Sequence, residues 1–299
     1  MRRAPVLCGP ADGATRRLTG QLARARSTQE LVELARRFWR AFDHIHTTTC
    51  LHALARRHAD VRDAGPGVVQ RLIVDLARRQ GSYLDRSMLD GRQLANTAWA
   101  MAKLRVSAAE VPNLMGRMSA ELARRADRLN HQDVANSLWA FGALAECERP
   151  ALLSLVSCRA MRRVDGFKPQ ELSNCVWALG AFGGADLERH AAPLVAAGVA
   201  RRAELEAQHV ANIAWGVARL ALDSASGFLA QLGQEAASRA PALKPQELAA
   251  VSWALAHAGP EVELSHTVAA LARSAVARAD EFNHQELVNV AWAFAEITR

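Results

Sequence analysis

Along most of the chain, apolar residues recur at intervals of three and four, and the pattern restarts about every 38 residues. Two stretches show the restart directly: NHQDVANSLWAFGAL at 130–144 and KPQELSNCVWALGAF at 168–182. Registered on tryptophan, the repeats are marked by Trp99, Trp139, Trp177, Trp215, Trp253 and Trp292, at spacings of 40, 38, 38, 38 and 39. Five positions before each Trp stands Leu or Val, and ten before stands Leu or Phe. Seven before stand Arg92, Gln132, Gln170, Gln208, Gln246 and Gln285; three before stand Asn96, Asn136, Asn174, Asn212, Ala250 and Asn289. A worn seventh copy lies upstream in FDHIHTTTCLHALA (42–55), with His52 in the Trp slot and Thr49 in the Asn slot. The 47 residues from His52 to Trp99 require an insertion, placed at ADVRDAGP (59–66).

Each unit reads as two helices. The first begins near the Gln and runs through the Trp. The residue ten before Trp, at N′, pairs with the residue five before, at N4, as a hydrophobic staple. Pro169 and Pro245 fall at N1, where a missing N–H costs little. Asp133, Glu171, Glu247 and Glu286 fall at N3, facing the positive end of the helix dipole. The second helix is an Ala/Leu/Arg stretch such as ALLSLVSCRAMRR (151–163). A pair of this size cannot bury its own faces, whereas stacked pairs can. The expected fold is therefore all-α: an α-solenoid, or superhelix, of tandem helix-turn-helix repeats of about 38 residues, spanning 28–299 in about seven repeats. The first repeat is degenerate and the last carries only a first helix. At about 100° per residue, positions −5, −2, −1, +2 and +5 from Trp share one apolar face. Positions −7, −3, 0 and +4 share another.

Composition narrows the function. Half of the 299 residues are hydrophobic and the formal charge is +7, carried almost wholly by arginine; Lys103, Lys168 and Lys244 are the lysines. Guanidinium excess suits phosphate, and codon bias explains the same skew. Five scattered cysteines without a CxxC point to a reducing compartment. No apolar run approaches the length needed to span a bilayer, so no membrane partner is expected. Residues 1–27 carry six arginines against Asp12 and read as a disordered basic tail or a transit segment.

The phrase PQEL-(A/S)-N-x-x-W-A-L-(A/G), clearest in KPQELSNCVWALG (168–180), KPQELAAVSWALA (244–256) and NHQELVNVAWAFA (283–295), resembles the octotricopeptide repeat of organelle RNA-binding proteins. It is also similar to the helical repeats of FAST-kinase-type mitochondrial proteins and of kinetoplastid RNA-editing substrate-binding complexes. The resemblance covers roughly 85–299. It implies single-stranded RNA as ligand, organelle mRNA or rRNA, in processing, stability, translation or rRNA assembly. The implied location is the mitochondrial matrix, with the plastid second, and other ribonucleoprotein subunits are implied partners. Many relatives of this kind add a RAP domain, for which this sequence shows no counterpart. The rival expectation is a protein-interaction scaffold in such a complex.

Individual residues carry competing roles. The six tryptophans are expected to be core spacers, although an exposed Trp would stack on a base. Asn96, Asn136, Asn174, Asn212 and Asn289 either contact RNA or form an inter-repeat amide ladder. Arg125, Arg163, Arg201, Arg239 and Arg278, fourteen before Trp, form a column that either follows phosphates or caps helix ends. Sequence readout falls to positions that vary: +4 (Lys103, Ala143, Ala181, Arg219, His257, Glu296) and −6, which holds the N3 residues. The cluster HIHTTTCLH (44–52) has metal-ligand chemistry, but His44 and His52 there simply replace consensus residues, so neither metal nor cofactor is assigned. No catalytic motif stands out, and no enzymatic activity is expected.

Overall fold

The computed structural model describes residues 10–63, 67–220, 222–259 and 263–299. Among these the regular structure is helical throughout, in sixteen α-helices and short 3-10 turns, as the repeat pattern requires. The chain divides into two compact units, up to Leu122 and Ala123–Arg299.

The first unit contains α1 (Pro10–Arg24), α2 (Thr28–Phe38), α3 (His44–Arg56), α4 (His58–Asp63), α5 (Val68–Asp85) and α6 (Gly91–Lys103). First helices α3 and α6 pack side by side, and α2 lies against α5. Helix α1 packs on α3 as α3 packs on α6, so α1 and α2 form one more helical pair. This corrects the expectation of a disordered tail over residues 10–24. Leu18, Leu22 and Ala25 are buried and spaced as a helical stripe, a signal masked by the surrounding arginines. His46 Nε2 meets the Thr15 carbonyl at 3.1 Å, and Arg57 bonds the Ala25 carbonyl. Arg2 and Arg3 of the basic segment lie outside the described residues, as do 64–66 of the insertion; 58–63 of it form α4.

Helix α7 (Leu114–Arg124) carries the chain into the second unit. There follow α8 (His131–Leu144), α9 (Arg149–Val156), α10 (Pro169–Phe182), α11 (Ala185–Ala200), α12 (Ala207–Arg219), α13 (Ala225–Ser238), α14 (Pro245–Leu255), α15 (Ser265–Ala277) and α16 (His284–Ile297). First helices α8, α10, α12, α14 and α16 stack in order; second helices α9, α11, α13 and α15 stack beside them. Helix α9 is shorter than the 151–163 stretch suggests. The Ser157 N–H closes on the Leu153 carbonyl, and the Arg159 N–H turns to the Asp127 carboxylate at 2.8 Å.

The first helices start as their sequence dictates. Asp43, Asp90, Asn130 and Asn283 accept from the N3 N–H, while N3 residues His46, Gln93, Asp133 and Glu286 accept the N-cap N–H. Lys168 and Lys244 offer no acceptor, and there Glu171 and Glu247 take the N-cap N–H alone, each at 2.9 Å. Position −6 is thus committed to capping, and Asp133, Glu171 and Glu247 are buried, which corrects its assignment to base readout. In α12 the same place is held by His209, whose neutral Nδ1 accepts the Glu206 N–H at 3.2 Å.

The staple residues Leu129, Phe167, Leu205 and Leu243 are buried beneath Val134, Leu172, Val210 and Leu248. Between first helices the contact is made by small residues. A Cβ on Gly180 would stand 2.7 Å from Gly216 Cα, and one on Gly216 would stand 2.6 Å from the Val176 carbonyl oxygen. The backbones touch there, so only glycine fits.

Two outcomes follow from this packing. Gly216→Ala drives a methyl into backbone and lowers stability by about 1–3 kcal/mol in urea unfolding. Gly227→Ala, with nothing within 4 Å, is neutral or stabilising. If the two variants melt alike, the close approach is not a constraint. Burial lowers the His209 pKa, with the Glu206 carboxylate opposing. The fold therefore favours neutral His209: its contribution is full above the ordinary histidine pKa of about 6.5 and is lost as pH falls through the lower folded value. His209→Gln, which caps without titrating, loses less stability than wild type between about pH 7.5 and 5; identical pH profiles would contradict this role.

Candidate nucleic-acid interface

Every first helix except α16 is buried on all but one narrow strip. In α10 the strip is Gln170, Asn174, Trp177 and Ala181, while Leu172, Cys175, Val176 and Leu179 are completely buried. These are positions −7, −3, 0 and +4, the second face assigned from helical spacing. In the second unit the same four positions surface on α8 (Gln132, Asn136, Trp139, Ala143), α12 (Gln208, Asn212, Trp215, Arg219), α14 (Gln246, Ala250, Trp253, His257) and α16 (Gln285, Asn289, Trp292, Glu296). In the first unit they surface on α3 (Ile45, Thr49, His52, Arg56) and α6 (Arg92, Asn96, Trp99, Lys103).

The tryptophans are not core spacers. Trp99, Trp139, Trp177, Trp215 and Trp253 are half-buried, and Trp292 is 43% exposed. The physical reason is the glycine and alanine packing beneath them. Backbones that touch leave no volume for an indole between the helices, so the rings are displaced to the rim, where they meet one another. Ring centroids lie 6.2 Å apart for Trp139–Trp177, 5.7 Å for Trp177–Trp215 and 6.3 Å for Trp215–Trp253. His257 extends the ladder, 4.2 Å from Trp253 and 5.8 Å from Trp292. In the first unit His52 takes the Trp place, 5.1 Å from Trp99. A base inserted between two rings needs about 7 Å, twice the ~3.4 Å stacking rise, so ligand rings would pack on the ladder's outer side.

The recurrent asparagines sit beside the rings, all half-buried. Among the described residues no hydrogen bond ties Asn174 or Asn212 to a neighbouring repeat, and Asn289 accepts from Gln285 of its own helix at 2.9 Å. At these three positions the inter-repeat amide ladder does not form, and the amides face solvent. Asn96 and Asn136 occupy the same place on α6 and α8. At +4, Arg219 is exposed with its guanidinium 5.7 Å from the Trp215 ring, and His257 is exposed with Nδ1 2.9 Å from the Trp253 carbonyl. Lys103 is half-buried, and burial lowers its pKa.

The arginine column lies elsewhere, at the ends of the second helices, and much of it is occupied. Arg201 donates to the Phe167 carbonyl at 2.8 Å and pairs with Glu204. Arg239 donates to the Leu205 carbonyl at 2.6 Å and pairs with Glu235. Arg278 reaches Ser274 Oγ at 3.2 Å and stands 3.8 Å from Glu281. Phe167 and Leu205 are the N′ residues of α10 and α12, so these arginines clasp the end of each second helix to the start of the first helix of its own pair. In the first unit Arg79 does the same for the Phe42 carbonyl at 2.8 Å. A guanidinium whose donors are spent on carbonyls and acids is poorly placed to follow phosphates. Arg125 is half-buried, and Arg163 is exposed.

Besides Lys103 and Arg219, the strip carries two cations that the repeat alignment sets aside: Arg56, and Arg92 in the Gln slot. The only hint in the sequence is that Arg92 departs from an otherwise constant glutamine. Of the HIHTTTCLH donors, His46 is engaged by Asp43 and Thr15, and burial pushes the Cys50 thiol up to about 12. Among the described residues no helix is long and apolar enough to cross a membrane. Neither the known family models nor the curated proteins contain a match to this chain.

The clasp has a direct test. Arg239→Met keeps the aliphatic stem and removes the donor, leaving the Leu205 carbonyl unpaired. Urea unfolding should show a loss of about 1–3 kcal/mol. A loss no larger than that of Arg163→Met, whose side chain is exposed, would remove the clasp.

Proposed function

We propose that this chain is a helical-repeat protein that binds single-stranded RNA along the exposed strip of its first helices. The observation that carries this is the solvent-facing ladder of tryptophans flanked by amide side chains. Helical repeats with side chains free at one register can address one base per repeat, and aromatic rings stack on bases of any sequence. Amides at −7 and −3 supply both donors and acceptors for base edges. Constant residues cannot distinguish bases, so discrimination falls to the varying +4 position, where Arg219, His257 and Glu296 differ. The biological setting rests on the resemblance of the PQEL…W phrase: organelle transcripts, mitochondrial first and plastid second, in processing, stability, translation or rRNA assembly. No catalytic role is assigned.

A scaffold in a ribonucleoprotein complex is the second reading. What favours it is the apolar exposure on α16, where Leu287 is 40% and Val288 61% exposed.

Binding of fluorescently labelled single-stranded RNA tests the proposal. Trp177→Ala with Trp215→Ala removes two rings, each worth about 1–3 kcal/mol when a base stacks on it. Affinity should fall at least tenfold while the circular dichroism melt stays cooperative. Duplex RNA should compete poorly. Equal affinity in the variant, or no RNA binding by the wild type, would overturn the proposal in favour of the scaffold.

A further inference from the structure

The two units do not present the same strip. In the second unit the strip holds amides, rings and small residues, with Arg219 opposed by Glu296. In the first unit it holds no acid at all, and Arg56, Arg92 and Lys103 lie on it. Resting on the RNA function proposed above, we infer that the strip of α3 and α6 is the phosphate anchor. The amide–tryptophan rows of the second unit then supply base contacts rather than charge.

Geometry supports this placement. The His52–Trp99 ring pair lies between cations. Arg92 stands seven residues before Trp99, while Lys103 and Arg56 stand four residues after Trp99 and His52 respectively. Arg92 and Lys103 are 11 residues apart on one helix, about 16 Å at 1.5 Å per residue, with the rings between them. A base packed on the rings therefore has a cation towards either end of the strip for its flanking phosphates. Arg56 and Arg92 are exposed, and among the described residues neither takes part in an ion pair, unlike Arg201 and Arg239. The acids at the starts of these helices are committed: Asp43 and Asp90 cap α3 and α6, and Asp85 pairs with Arg117. Burial, then Arg56 and Arg92, lowers the His52 pKa, as expected where positive potential converges.

Salt dependence separates anchor from bulk charge. Affinity for a labelled single-stranded oligouridylate is measured between about 50 and 200 mM salt, where each phosphate contact contributes a log–log slope of about 0.7. Arg56→Gln, Arg92→Gln and Lys103→Gln together should lower the slope by about 2. Arg17→Gln, Arg36→Gln and Arg71→Gln together remove the same charge from exposed places off the strip and should leave it near wild type. Arg56→Lys with Arg92→Lys should restore it, which a structural role would not. If the wild type binds, and the tryptophan double variant does not, but both glutamine triples change the slope equally or not at all, the anchor is overturned and the RNA function stands. No binding by the wild type overturns both.

Discussion

The close approach of successive first helices governs the rest of the second unit. Gly180, Gly216 and the backbone at Val176 meet with no room for a side-chain carbon. Helices packed this tightly cannot take an indole between them. The tryptophans are therefore forced to the rim, and helices this close bring their rings within about 6 Å of one another. One steric condition thus produces both the cohesion of the stack and its exposed aromatic edge.

Other residues hold that geometry in place. Capping boxes set where each first helix starts and consume the acids at −6, so the strip is left nearly free of negative charge. Arginines at the ends of the second helices clasp the N′ carbonyl at the start of the first helix of their own pair, which ties the two helices of a pair together. Charge that looks in the sequence like a surface for polyanions is in part mechanical. Of the cations on the strip, Arg56, Arg92 and Lys103 belong to the first unit and Arg219 to the second.

Periodicity made most of this legible. The repeat length, the two helices per unit, the caps and the four-position strip all follow from spacing, because each depends on local backbone geometry. The exposure of tryptophan did not, since a large residue flanked by small ones fits a packed interface and its rim equally well; only the helix separation decides. Arg201 and Arg239 show the same limit. Their recurrence is visible, but a column recurs whether it meets phosphate or the carbonyl at the start of its partner helix. Helix α1 was hidden for another reason: Leu18, Leu22 and Ala25 make a short stripe among arginines, and composition outweighed period.

Photocrosslinking to single-stranded RNA, with the attachment sites located by mass spectrometry, tests the central claim most directly. Adducts should fall on the first helices at the −7, −3, 0 and +4 positions, and above all on Trp177, Trp215 and Trp253. Adducts confined to the second helices, or to the arginines that clasp the two helices of a pair, would contradict it.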